Sequence, residues 1–194
     1  MSPIEALAAG RPAKMLRRFI RRFCGDRRAF AAIEFAMMAP VMIAMYFGVT
    51  ELTDGYTART KVTAVASTAA DLTAQETAVC NAEMDDIFSA LGAIMFPYPT
   101  GNMQIVISSL VDAGDGTVKV AWSDALHTTA RSTNSVVDVP AGLISAGGSI
   151  IMAEVTYDYS SPTGHLIYGT MTLQDKFYLH PRRAVQVTRT NSDC

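Results

Sequence analysis

AFAAIEFAMMAPVMIAMYFGVTELT, residues 29–53, decides how the chain is read. From Ala29 to Val49 every residue is apolar or small except Glu34. At about 1.5 Å of rise per residue the run reaches roughly 30 Å as a helix, the thickness of a bilayer's hydrocarbon core. Just upstream stand Arg17, Arg18, Arg21, Arg22, Arg27 and Arg28. A basic flank, a membrane-length apolar helix and a long polar region describe a single span whose basic side stays in the cytoplasm.

Glu34 is the informative departure. A carboxylate in hydrocarbon costs about 3 kcal/mol or more unless it is paired or reaches the interface, so an acid inside a span points to function. The plainer alternative is an acid close enough to the surface to snorkel. The surrounding string, Asp26-Arg27-Arg28-Ala29-Phe30-Ala31-Ala32-Ile33-Glu34-Phe35, resembles the processing site of class III signal peptides of type IV pilins and pseudopilins. In that family a basic leader ends in a small residue, a peptidase cuts there, and the mature apolar helix carries Glu at its fifth position. Counting back from Glu34 makes Phe30 the first mature residue and places the cut after Ala29. The wording A-A-I-E-F-A-x-x-A-P, followed by F-G-x-x-E-L, resembles more narrowly the TadE-like proteins, minor pilins or pseudopilins of the Flp-type tight-adherence pilus system. Ala29 departs from the Gly usual in the family; it is small and is read here as cleavable.

Charge divides the chain in the same place. Residues 1–28 hold eight Lys or Arg against Glu5 and Asp26, a net +6, whereas residues 29–194 hold eight basic and sixteen acidic side chains, a net −8. A basic block can bind nucleic acid, but one set against a span serves orientation, and no nucleic-acid partner is expected. Cys24 lies in the leader; Cys80 and Cys194 lie beyond the span, in an oxidising compartment where they either form one disulfide or remain two separate thiols. No C-x-x-C or Cys-His spacing suggests zinc, and neither metal nor cofactor is expected.

The periodicities predict an α+β fold in three parts. Residues 1–29 are the leader, either a basic amphipathic helix built on Met15, Leu16, Phe19, Ile20 and Phe23 or an unstructured segment. Residues 30–53 are the transmembrane helix, which continues to about 74 with Tyr56, Val62, Val65, Ala66, Ala69 and Leu72 at helical spacing. Pro40 is expected to kink this helix and Gly55 to weaken it. Its small-residue face suits packing against neighbouring subunits or against the domain's own sheet. Residues 54–194 form a small, mainly antiparallel β-sheet domain with a second short helix at 81–95, whose face is Met84, Ile87, Phe88, Leu91 and Met95. Asn81 is its expected cap, Glu83, Asp85 and Asp86 suit its dipole, and Phe96-Pro97-Tyr98-Pro99 stops it. Strands are expected at 103–111, at 117–123 with Val118, Val120 and Trp122 on one face, at 149–159, and at 170–179 with a bulge at Asp175. Residues 125–148 read as a long polar connection.

Later pieces, D-L-T-A-Q, V-A-W-S, V-P-A-G-L, A-E-V-T-Y-D-Y and H-P-R, also resemble TadE-like proteins in their order. No catalytic constellation is visible: His127, His165 and His180 are scattered, and no phosphate loop or nucleophile elbow occurs, so an enzyme is not expected. The resemblance implies a bacterial inner-membrane protein with its N-terminus cytoplasmic and its C-terminal domain periplasmic. It further implies a prepilin peptidase, other pilins and pseudopilins and the pilus assembly platform as partners, with assembly residues Glu34 and Phe35. The alternative is an uncleaved single-span protein whose outer domain is a periplasmic scaffold or adhesion module. Intact-mass analysis of membrane and sheared-pilus fractions is expected to find a chain starting at Phe30, and a bulky charged residue at Ala29 is expected to leave it starting at Met1.

Overall fold

The computed structural model describes residues 27–114, 116–161, 169–190 and 192–194. The leader to Asp26, with Cys24, lies outside the described residues, as does His165. The described chain divides into two compact units after Thr50. One helix, α1 (Arg27–Gln75, 49 residues), passes through that boundary without a break at Pro40 or Gly55.

The second unit is an α+β domain. Strand β1 (Ala78–Val79) follows α1, then helix α2 (Asn81–Met95), a 3₁₀ turn (Thr100–Asn102), and strands β2 (Met103–Asp112), β3 (Val118–Leu126), β4 (Ser149–Ser160), β5 (Thr170–Leu179) and β6 (Thr188–Arg189). The main sheet is antiparallel in the order β3-β2-β4-β5, while β1 and β6 form a separate parallel pair. That short pair was not foreseen, since two residues carry no alternation to read.

The larger core lies between the sheet and the two helices. From α1 it takes Ala58, Val62, Val65, Ala66, Ala69, Ala70 and Ala74, all essentially inaccessible; from α2 it takes Met84, Ile87, Leu91 and Met95. The sheet contributes Ile105, Ile107, Trp122, Ile151, Ala153, Val155, Tyr157, Tyr159 and Leu173. Alanine suits the α1 stripe because it favours the helix and takes little room in the core. Tyr56, expected in that stripe, is instead exposed; the buried line runs from Glu51 through Gly55 to Ala58, one helical turn at a time. At Gly55 a Cβ would lie 3.9 Å from the Tyr159 ring, an ordinary van der Waals contact.

α2 has the predicted limits, but Cys80, not Asn81, is its N-cap. The Cys80 N–H donates to Glu83 Oε2 at 3.0 Å, while the Asn81 Oδ1 accepts from Arg189 Nη2 at 2.8 Å. Pro97 and Pro99 cannot donate into a further turn, and the helix ends with the Tyr98 N–H on the Met95 carbonyl at 2.8 Å.

The opposite sheet face buries Leu110, Val120, Val137, Ile150 and Met152 under the 127–148 connection. That connection is tied down: the Val137 N–H donates to the Val118 carbonyl at 3.0 Å and the Asn134 N–H to the Val120 carbonyl at 2.8 Å. Val118, Val120 and Trp122 therefore do not share a face. Ser109 pairs with Trp122 but Leu110 with Val120, so Ala121 is an extra residue, a β-bulge that turns Trp122 to the helices and Val120 to the other side. Asp175 marks no bulge, since β4 and β5 stay in register from Ile151–Leu179 to Ser160–Thr170. It accepts instead from the Thr63 hydroxyl of α1, which explains an acid in an otherwise apolar alternation.

Glu154 on β4 joins Arg131 of the connection, at 2.7 Å, to Lys176 of β5, at 2.8 Å. Burial works to raise its pKa, but the hydrogen bonds from Lys176 and Arg131 and their charges together hold it below the ordinary value. A carboxyl depressed in the folded state stabilises above its unfolded pKa of roughly 4.3 and loses that contribution as pH falls through the folded value. Glu154→Gln should therefore lower the thermal midpoint at pH 7, by the equivalent of about 1 kcal/mol, and the gap to wild type should close below about pH 4.

Candidate functional site

The first unit holds a helical stretch that, by length and composition, is apolar enough to cross a membrane. Phe35 is 71% exposed, Met37 74% and Met38 60%, although consecutive residues point to different sides of a helix. Apolar side chains thus cover the whole circumference, the pattern of a helix that lies inside a bilayer or a bundle rather than on a surface.

Two features interrupt this apolar cylinder. Glu34 is exposed and has no hydrogen bond or ion pair among the described residues. Pro40, one and a half turns later, lacks an N–H, so the Ala36 carbonyl loses its helical donor. Both polar groups need partners that a lone helix in hydrocarbon does not offer. Beside them runs a ridge of compact residues at four-residue spacing, Ala32, Ala36, Pro40, Ala44 and Gly48. Such a ridge admits close approach of a second helix. The ridge was legible in the sequence through its spacing alone.

The residues expected to carry processing and assembly fall as follows. Ala29 lies in the first turn of α1. Phe30 is exposed, and Glu34 follows it by four residues, about 6 Å along the axis. Phe35 is exposed on the adjoining side. The fold brings Glu34 to no other side chain among the described residues. Cys80 and Cys194, by contrast, meet: their sulfurs pair with Cα atoms 5.8 Å apart across 114 residues of sequence. The Glu83 carboxylate lies close to both sulfurs, but it is engaged by the Cys80 N–H, and paired sulfurs present no thiolate to a metal.

Sequence reasoning missed Arg189. Its Nε donates to Asp124, its Nη2 to Asn81 and its Nη1 to the Val79 carbonyl at 3.2 Å, which locks the tail to β3, β1 and the start of α2 beside the disulfide. No local signal announces a clamp whose partners lie 65 and more residues away. His127 Nδ1 meets the Met103 carbonyl at 2.9 Å, and His180 Nδ1 lies 3.3 Å from the Ser149 carbonyl; the two rings stand at different strand ends.

The family model described as TadE-like protein matches residues 30–71, a stretch lying wholly within α1 and starting at Phe30. No curated protein and no solved structure matches the chain. The match includes Glu34 and most of the alanine stripe. The later segments that resemble the family lie outside it.

The Cys80–Cys194 bridge closes a loop of 114 residues, for which chain entropy gives roughly 4 to 5 kcal/mol. Cys194→Ser is expected to lower the unfolding midpoint of the purified protein under non-reducing conditions. Dithiothreitol should lower the wild-type midpoint to the same value. Two alkylatable thiols in unreduced, unfolded protein would show the bridge to be absent.

Proposed function

We propose, from the TadE-like segment at residues 30–71, that the protein is a minor pilin or pseudopilin that acts in assembly of a tight-adherence pilus. It is made as an inner-membrane precursor with residues 30–53 spanning the bilayer and residues 54–194 in the periplasm. A prepilin peptidase removes residues 1–29, and the mature chain joins other pilins at the assembly platform to prime the filament, cap its tip or support its export. Its role is structural, not enzymatic. The observation that carries this reading is Glu34: an acid without a partner among the described residues, on an apolar helix, inside the matched stretch.

Cleavage gives Phe30 a free α-amino group, with an ordinary pKa near 8. In an assembly, the Glu34 carboxylate of one subunit pairs with the Phe30 amine of the next. The pair offsets part of the cost of an acid in hydrocarbon and favours one axial register between helices. The small-residue ridge lets the helices come close enough for this. Ala29, standing where the family usually has Gly, favours a second reading, an uncleaved single-span protein with a periplasmic scaffold or adhesion domain.

Glu34→Ala is expected to insert and remain folded but to enter pili or assembly complexes poorly, by roughly tenfold if the pair contributes the 1.4 kcal/mol that a factor of ten requires. Glu34→Asp should be impaired in part, because its shorter side chain misplaces the charge. Quantitative blotting of membrane and sheared-pilus fractions reads the result. A Glu34→Ala protein that is cleaved and incorporated like wild type overturns the pairing.

A further inference from the structure

Beside α2 lies an open groove of about 670 Å³. Three aromatic side chains line it: Phe88 from α2, and Phe96 and Tyr98 from the turn that stops the helix. Two further lining residues carry titratable groups, Asp85 of α2 and His127 just past β3. All five belong to the second unit, so the groove is independent of how the apolar stretch before Glu51 is read.

Bonds outside the groove set its walls. The Tyr98 hydroxyl donates to the Asp54 carbonyl at 3.0 Å, and the Tyr98 ring stands edge-on to Tyr159 with centroids 6.0 Å apart. His127 has a left-handed backbone, φ 56°, and its Nδ1 meets the Met103 carbonyl at 2.9 Å. A carbonyl only accepts, so Nδ1 carries the proton and Nε2 of the neutral ring is left as an acceptor. Phe96, by contrast, is 78% exposed. Asp85 is exposed too, and it has no hydrogen bond or ion pair among the described residues. The helix dipole does not account for it, because it lies past the first turn of α2, whose acid is Glu83.

No Lys or Arg lines the groove. The Lys61 amine donates to the Ile94 carbonyl at 2.8 Å and is not among the lining side chains. An apolar occupant would bury the Asp85 carboxylate without a partner, and an anion would be repelled by it. A cation answers both features of the groove. Ring faces attract it through their quadrupole, and the carboxylate attracts it through charge and hydrogen bonding. Among cationic side chains a guanidinium suits the combination best, since its plane stacks on a ring while its edge donates to a carboxylate. We infer that this groove is a docking site for an arginine side chain presented by a partner protein. Asp85 is the counter-ion, and Phe88, Phe96 and Tyr98 are the aromatic walls.

The test uses the isotopically labelled full chain in detergent micelles, with the blocked peptide acetyl-Gly-Gly-Arg-Gly-Gly-amide as probe. The same peptide with citrulline, which keeps the shape of arginine without its charge, is the control. Amide shifts of Gly92 and Thr100, both in the lining, report binding. One cation–π contact and one charge-assisted hydrogen bond allow roughly millimolar affinity, so the titration runs to about 10 mM. The arginine peptide should bind severalfold more tightly than the citrulline peptide. Asp85→Asn should erase that preference. Phe96→Leu, which keeps an apolar side chain but removes the ring, should weaken arginine binding severalfold. Asp86→Asn, one residue away and outside the lining, should change neither. Asp85, Asp86 and Phe96 are all exposed, so the variants should keep the wild-type spectrum elsewhere in the domain. Equal binding of the two peptides, or no shift with either, overturns the inference. A loss at Asp86→Asn equal to that at Asp85→Asn means diffuse attraction by an acidic surface, and overturns it as well.

Discussion

Burial of the α1 alanine stripe in the larger core is the packing on which the domain depends. Ala58, Ala66, Ala69, Ala70 and Ala74 of α1 share one buried core with Ile151, Ala153, Val155, Tyr157 and Tyr159 of β4. A bulkier residue at Ala66 or Ala69, both fully buried, would have to displace its neighbours in the larger core. α2 and the β1–β6 pair complete a layer whose position α1 has already set.

The same helix meets two different surroundings, and its composition changes with them. Up to Val49 it is apolar on every side; from Glu51 onward a single buried stripe alternates with Thr57, Arg59, Thr60 and Thr63 on the exposed side. The helical hydrogen-bond ladder runs through the change, but the forces that hold the helix in place do not. In the lower half, burial against the sheet supplies about 1.5 to 3 kcal/mol for each large aliphatic side chain removed from water. In the upper half no such surface exists within the described chain, and stability there must come from lipid or from other helices.

These physical differences decided what could be read in advance. The α2 limits were legible because a 3.6-residue stripe ends at two prolines that cannot continue it. The strands were legible from alternation, with boundaries off by up to three residues at the end of β3. The bulge at Ala121 was not, since alanine fits either face and alternation reads straight through it. The Asp175 bulge was an error of the same kind: an acid in an apolar alternation suggests a defect until the Thr63 hydroxyl opposite it is known. Arg189 and the β1–β6 pair depend on contacts across about 110 residues, for which local sequence holds no signal. Of the candidate site, the span and Glu34 were plain in the sequence, whereas the outer turn on Asp54 needed the fold.

Two acids on α1 show why Glu34 directs attention outside the chain. Glu51 is 1% exposed at the head of the buried stripe, and its charge reaches Tyr159, whose pKa is pushed up first by burial and then by Asp54. Glu34 lies seventeen residues earlier on the same helix, in a stretch without another ionisable side chain until Tyr46. Neither its helix nor any other described element supplies a donor. Burying an ion without a partner costs several kcal/mol, so an acid on an apolar helix directs attention to groups beyond the described residues.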